Sequence, residues 1–168
     1  MVKAFGIFAS VCLLLLPALA AAKPGKETVV VAALDVPVPA DSEQMHDFLW
    51  KQIANRPEAG NFSSASTSKW KAKYTRFAGA LVAKAAEQKL DSVSLAKVLD
   101  LILAHSEGKL AYLPVAAYHA MEGDDPIWIV TVRWEYPLIN NAPTQYYHIR
   151  VFAFHQKGLG QVGYVTCG

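Results

Sequence analysis

The sequence predicts an α+β protein in which about three helices pack on one face of a curved, four- or five-stranded antiparallel sheet. Three observations support this. Apolar residues recur at helical spacing from about residue 41 to residue 105. Segments rich in β-branched and aromatic residues then follow to the C-terminus, and short turns rich in Gly, Asp and Asn separate these segments. Helices that precede a run of strands are typical of an α+β arrangement, in which the apolar helix faces cover one side of the sheet.

Residues 1–22 have the three-part pattern of a secretory signal peptide. Lys3 supplies the positive charge, an apolar run centred on four leucines follows, and Pro17 ends it before a stretch of small residues. An uncleaved membrane anchor is the alternative, because residues 4–22 are just long enough to span a bilayer. We therefore expect export to the periplasm or the extracellular space, with no integral membrane span after cleavage.

The rest of the chain is predicted to form one domain. Residues 23–40 are an extended N-terminal segment with a short strand near 28–34, and residues 41–168 form the α+β domain. The formal net charge of the whole chain is +2, which is too small to favour either nucleic acid or an acidic protein as the partner. Cys12 leaves with the leader, so Cys167 is the only remaining thiol, either inert or able to pair between molecules.

Three helices are predicted from capping signals and apolar stripes. The first begins near Asp41, where Gln44 completes a capping box, and it ends before Pro57. The second covers about residues 68–89 and the third about 91–105.

Four long strands are predicted at 109–121, 127–136, 145–155 and 161–166. Together with the three helices, this order of elements resembles the cystatin-like and NTF2-like architectures. No motif of either family is present, so the resemblance concerns architecture alone and implies no function.

The register of the middle strands is predicted from a loop at 137–144 that places Tyr136 opposite Gln145. An acidic turn before this pair of strands is predicted to place Met121 opposite Pro126, which sets Tyr112 beside Glu135. These pairings gather apolar side chains on one face, and a shift by one residue would disperse them. The residues predicted to form the core on this face are Trp128, Val130, Val132, Trp134, Ile149 and Val151.

On the other face, the same register brings four charged or titratable side chains together. A carboxylate beside an imidazole can orient a general base, and two arginines can bind a carboxylate or phosphate. Ordinary cross-strand pairing is the alternative interpretation. The residues predicted to bind a ligand or partner here are Tyr112, Arg133, Glu135, Tyr146, His148, Arg150 and Phe152.

A second candidate site is the basic start of the second helix. Lys69, Lys73 and Arg76 share one helical face near the N-terminus, where the helix dipole disfavours cations. The sequence pattern is consistent with an anionic partner, and a solvated lysine face is the alternative.

The sequence contains no zinc-binding histidine spacing, no phosphate-binding glycine loop and no nucleophile elbow. We therefore predict no catalytic residue, no metal and no cofactor. The favoured interpretation is an exported, non-enzymatic binding protein, inhibitor- or immunity-like, whose partner is a protein or an anionic envelope component rather than nucleic acid. A homodimer also stays open. The alternative is a small enzyme or ligand carrier with a pocket at Arg133, Glu135, His148 and Arg150.

Overall fold

The computed structural model describes residues 29–34, 38–39, 42–54, 67–106, 111–135 and 147–167. It contains three helices and a five-stranded, open sheet, so the α+β class is confirmed. The elements are β1 (Val30–Ala33), α1 (Ser42–Ala54), α2 (Thr67–Glu87), α3 (Ser92–Ser106), β2 (Ala111–Glu122), β3 (Asp125–Glu135), β4 (Tyr147–His155) and β5 (Gln161–Cys167). Asp41, the predicted cap of the first helix, lies outside the described residues.

The five strands follow one another in chain order across the sheet. Strands β2 to β5 form an antiparallel meander, whereas β1 runs parallel to β2, so the sheet is mixed. The turn between β2 and β3 is tight and contains Gly123, whose φ of 58° is favourable for glycine because it has no Cβ.

Helices α2 and α3 cover one face of the sheet, which we call the first face. Their apolar stripes pack on Trp128 and Val130 of β3 and on Phe152 and Phe154 of β4. Burial of these large side chains contributes to the hydrophobic stabilisation of this side.

Helix α1 covers the opposite side, which we call the second face. Met45, Phe48 and Leu49 pack with Ile129, Val151 and other apolar residues of the strands. Gly163 of β5 lies directly beneath α1, since a Cβ placed there would be in ordinary contact with Leu49 Cδ1 and Met45 Cγ, both at 3.7 Å. The prediction that all three helices share one face is therefore corrected.

The register between β2 and β3 follows the prediction only in part. Met121 pairs with Pro126 as expected, and the agreement continues to Ala116. A β-bulge between Pro114 and Ala116 then shifts the pairing by one residue and places Tyr112 opposite Trp134. Tyr112 consequently lies on the first face rather than beside Glu135.

The predicted register between β3 and β4 is wrong by one residue. Val132 pairs with Arg150 instead of Ile149, and this shift exchanges the two faces of β4. Apolar residues occur on both faces of β4 because helices cover both sides of the sheet, so alternation of polarity does not select one register. The connection at 136–146 is also too long for a tight turn to set it.

The six residues predicted to form the core differ in burial and in the face of the sheet on which they lie. Trp128, Val130, Val132 and Val151 are completely buried, but Val151 belongs to the second face. Ile149 is half-buried, and the side chain of Trp134 lies outside the described residues.

Candidate functional site

The topology brings several element ends together at one end of the molecule. Helices α2 and α3 form an antiparallel hairpin, so the first turns of α2 lie near the last turn of α3. The start of β2 pairs with the end of β3, which pairs with the start of β4, which in turn pairs with the end of β5. We call this region the basic end; its members are Lys71, Lys73, Arg76, His105, His148 and Arg150.

Arg150 of β4 is the best-positioned side chain of the basic end. Its Nε donates a hydrogen bond to Thr166 Oγ1 at 3.0 Å, and Nη1 donates to the Tyr112 hydroxyl. Its Cζ lies 5.3 Å from the ring centroid of Tyr112 and 5.4 Å from that of Tyr164. The half-buried guanidinium is therefore held by two aromatic rings and two hydroxyl groups, which fix its orientation at the surface.

Aromatic rings lead from the core to solvent beside Arg150. The buried Tyr112 stacks on His105 of α3, with centroids 6.1 Å apart and planes 5° apart, and meets Phe152 edge-on at 6.0 Å. Phe152 in turn lies 6.2 Å from Tyr164, which is 56% exposed. An exposed aromatic ring next to a cation is typical of protein-binding surfaces.

The first turns of α2 are tied to α3 by Tyr74. Its hydroxyl donates to the Leu99 carbonyl, and burial together with the nearby Asp100 carboxylate raises the pKa of Tyr74, so it remains a neutral donor. Trp70 packs on Tyr74 with ring centroids 5.7 Å apart. These contacts fix the helix start and hence the positions of the basic residues on it.

The basic residues of α2 differ in exposure. Lys71 and Arg76 are exposed and Lys73 is half-buried; the side chain of Lys69, in the first turn, lies outside the described residues. The Arg76 guanidinium lies over the Phe77 ring at 5.2 Å. Part of the predicted second site is thus available at the surface.

The predicted cluster of Arg133, Glu135, His148 and Arg150 does not form on one face. The register places Arg133 opposite Ile149 and Arg150 opposite Val132, so the two arginines lie on opposite sides of the sheet. Arg133 is only 3% exposed, on the side covered by α1. Glu135 pairs with Tyr147 through the backbone, and Tyr146 lies outside the described residues.

Other predicted residues are brought together in a way that the sequence did not suggest. Tyr112, His148, Arg150 and Phe152 share the first face, at the same end as the basic start of α2. Sequence reasoning treated these as two separate sites and missed His105, Tyr164 and Thr166. The pairing of Phe152 with Tyr164 depends on the β4–β5 register, whereas the stacking of His105 on Tyr112 depends on the bulge in β2.

Polar groups at the other end of the first face have structural partners. Asp91 Oδ1 accepts from the backbone amides of Val93 and Ser94 and so caps α3, while Gln156 Nε2 donates to Asp91 Oδ2 at 2.5 Å. His119 Nε2 donates to Gln156 Oε1 at 3.0 Å. We call this region the capped end.

Within the described ranges, no three His, Cys, Asp or Glu side chains are placed to hold a metal ion. None of the described helices combines the length and the apolar character needed to cross a membrane.

Comparison with known proteins finds no matching family model, no similar curated protein and no similar solved structure. Function is therefore inferred from the basic end itself.

Proposed function

We propose that this protein is an exported binding protein that recognises an acidic polypeptide at its basic end. The observation that carries the proposal is Arg150, a half-buried guanidinium held between the rings of Tyr112 and Tyr164. Arginine in such a setting pairs with carboxylates, and tyrosine supplies contact area at low entropic cost.

The basic start of α2 supports the same conclusion. Lys71, Lys73 and Arg76 lie in the second and third turns of α2, and the first turn of this helix contains no acidic residue that would balance them. A cluster of cations on one helix end gives a positive local potential that attracts an acidic partner. An acidic segment crossing from α2 to β4 would meet both groups of cations.

The alternative, a small enzyme or ligand carrier with a pocket at Arg133, Glu135, His148 and Arg150, receives less support from the strand register. That hypothesis required Glu135 and His148 to act together on one sheet face, but the register sets His148 opposite Trp134 and Glu135 opposite Tyr147. Adjacent pairs alternate between the two faces of a sheet, so the two positions do not form a pair.

The proposal is tested by binding of a fluorescent oligoglutamate peptide, measured by anisotropy over a salt series. Arg150→Gln and Arg150→Lys should each raise the Kd by about tenfold, because lysine keeps the charge but not the planar donor pair. Binding by the wild-type protein should weaken with salt, since exposed charges are screened over about 8 Å at physiological ionic strength.

Lys157→Gln is the matched control. Lys157 is an exposed cation at the opposite end of the sheet, where it pairs with Asp125 at 3.8 Å, so its loss changes the net charge equally. An equal loss of binding in this variant would show unspecific attraction and contradict the proposal. Binding to phosphatidylglycerol vesicles but not to the peptide would assign the surface to lipid instead.

Export is tested separately by mass spectrometry of the native protein. The N-terminus should be Ala21 or Lys23, because the small residues before these positions favour cleavage there. An intact Met1 in the cell-envelope fraction would contradict export with cleavage.

A further inference from the structure

Strand β5 forms one edge of the sheet. Its neighbour among the described strands is β4, and no other described strand pairs with its outer edge, where backbone donors and acceptors can pair with a further strand. The opposite edge strand, β1, has four residues, whereas β5 has seven. Strand β5 is therefore the longer of the two edges.

The sequence of β5 lacks the usual protection against edge pairing. Residues Gln161–Cys167 include no charged side chain and no proline, both of which natural edge strands use to prevent pairing. An irregularity opposite Ala153 and Phe154 affects only the first residues of β5. From Gly163 onward, each residue of β5 is paired regularly with β4.

Tyr164 is the large exposed apolar side chain of this strand. It pairs with Phe152, and its ring adds to a row of aromatic side chains that runs across β4 and β5 on the first face. A strand added beside β5 would continue this row and bury the exposed side of Tyr164.

We infer that β5 pairs antiparallel with β5 of a second copy of this chain, with Tyr164 opposite Tyr164 across a twofold axis. Twofold pairing places each residue of β5 against another uncharged residue, so no like charges meet, and a cross-strand aromatic pair stabilises the contact. An acidic segment would find no basic side chain within β5 itself. The axis lies perpendicular to the sheet, so both copies present Arg150 on the same side.

The test uses protein purified after expression of the full chain in a secreting host. Light scattering coupled to gel filtration should show a dimer at a protein concentration of about 100 µM, because an interface with a micromolar dissociation constant is largely dimeric at that concentration. Tyr164→Glu and Tyr164→Lys should each raise the dimer dissociation constant by about tenfold or more, since each places like charges opposite one another. An equimolar mixture of the two variants should restore dimers, because Glu then faces Lys.

Leu101→Glu on α3 is the matched control, because Leu101 is also an exposed apolar residue, at 43%, but lies away from β5. It should remain dimeric, and circular dichroism melts should show all variants folded. A monomeric wild type, dimers that persist in both Tyr164 variants, or a mixture that stays monomeric would overturn the inference. None of these outcomes depends on peptide binding at the basic end.

Discussion

The two ends of the first face use polar side chains differently. At the capped end, Asp91, Gln156 and His119 form a chain of hydrogen bonds that joins the start of α3 to the sheet. At the basic end, cations and aromatic rings extend to solvent around Arg150 and Tyr164.

This difference separates structural from interaction roles. At the capped end, the indole N–H of buried Trp128 donates to Ser94 Oγ at 2.7 Å, so this donor has an acceptor within the fold. At the basic end, the indole N–H of Trp70 is buried with no hydrogen-bond partner among the described residues. Since a buried donor without an acceptor costs free energy, the basic end is less completely satisfied as a structure. We therefore expect mutations at the capped end to affect stability and those at the basic end to affect binding.

The largest effect is expected for Trp128→Ala. Trp128 is completely buried in the first-face core, and its truncation should lower the free energy of unfolding by about 3–5 kcal/mol. Tyr164→Ala, next to Arg150, is the comparison and should cost the monomer less than about 1 kcal/mol, because that side chain is mostly exposed in the single chain. Denaturant unfolding of both variants measures the difference; similar losses would contradict the contrast between the ends.

Ser94→Ala should have the next largest effect. It leaves the buried indole N–H of Trp128 without its acceptor, at a cost of about 1–3 kcal/mol. In a Trp128→Phe background, which has no indole donor, the same substitution should cost clearly less. An unchanged cost in that background would mean that Ser94 contributes through helix packing rather than through this hydrogen bond.

A smaller effect is expected from the pH dependence of Asp91. Desolvation opposes ionisation of its carboxyl group, but hydrogen bonds from Ser94 and Val93 and the nearby His119 outweigh this and lower the pKa of Asp91. Its contribution to stability is therefore present above the unfolded pKa of about 3.9 and is lost as the pH falls through the lower folded pKa.

Asp91→Asn keeps a capping side chain but removes this titration. The loss of stability between about pH 5 and about pH 3 should be smaller in the variant than in the wild type, by less than about 1 kcal/mol because the group is exposed. Asp124→Asn, in the β2–β3 turn, is the control for removal of a surface carboxylate. Thermal melts of all three proteins over this pH range test the prediction. Parallel curves of stability against pH for the wild type and Asp91→Asn would contradict it.

The smallest effect on stability is expected at the start of α2. Replacing Lys69, Lys73 and Arg76 with glutamine should leave stability unchanged or raise it by a few tenths of a kcal/mol, because the helix dipole disfavours a cation at Lys69 in the first turn and has little effect at the other two positions. The same variant should bind the oligoglutamate peptide more weakly. A destabilised variant with intact binding would contradict this prediction.

Much of the local structure could be predicted from the sequence. The three helices and the five strands all lie close to the predicted positions, because apolar periodicity and turn residues depend on neighbours along the chain. The candidate site could be predicted only in parts. Tyr112, His148, Arg150 and Phe152 were recognised, but their grouping with Arg133 and Glu135 was wrong because the register differed by one residue.

By itself, the sequence determined the class of fold, the order of its elements and the basic character of α2. Only the tertiary structure decided which side chains meet. Helix α1 covers the second face, so both sides of β4 are apolar and the alternation pattern allows two registers. In the folded protein, Val132 pairs with Arg150, and a bulge lies beside Pro114. Together, this register and this bulge place Tyr112 and Arg150 in contact at the basic end. A pairing register is a property of two strands and of what packs on them, so it cannot be determined from either strand alone.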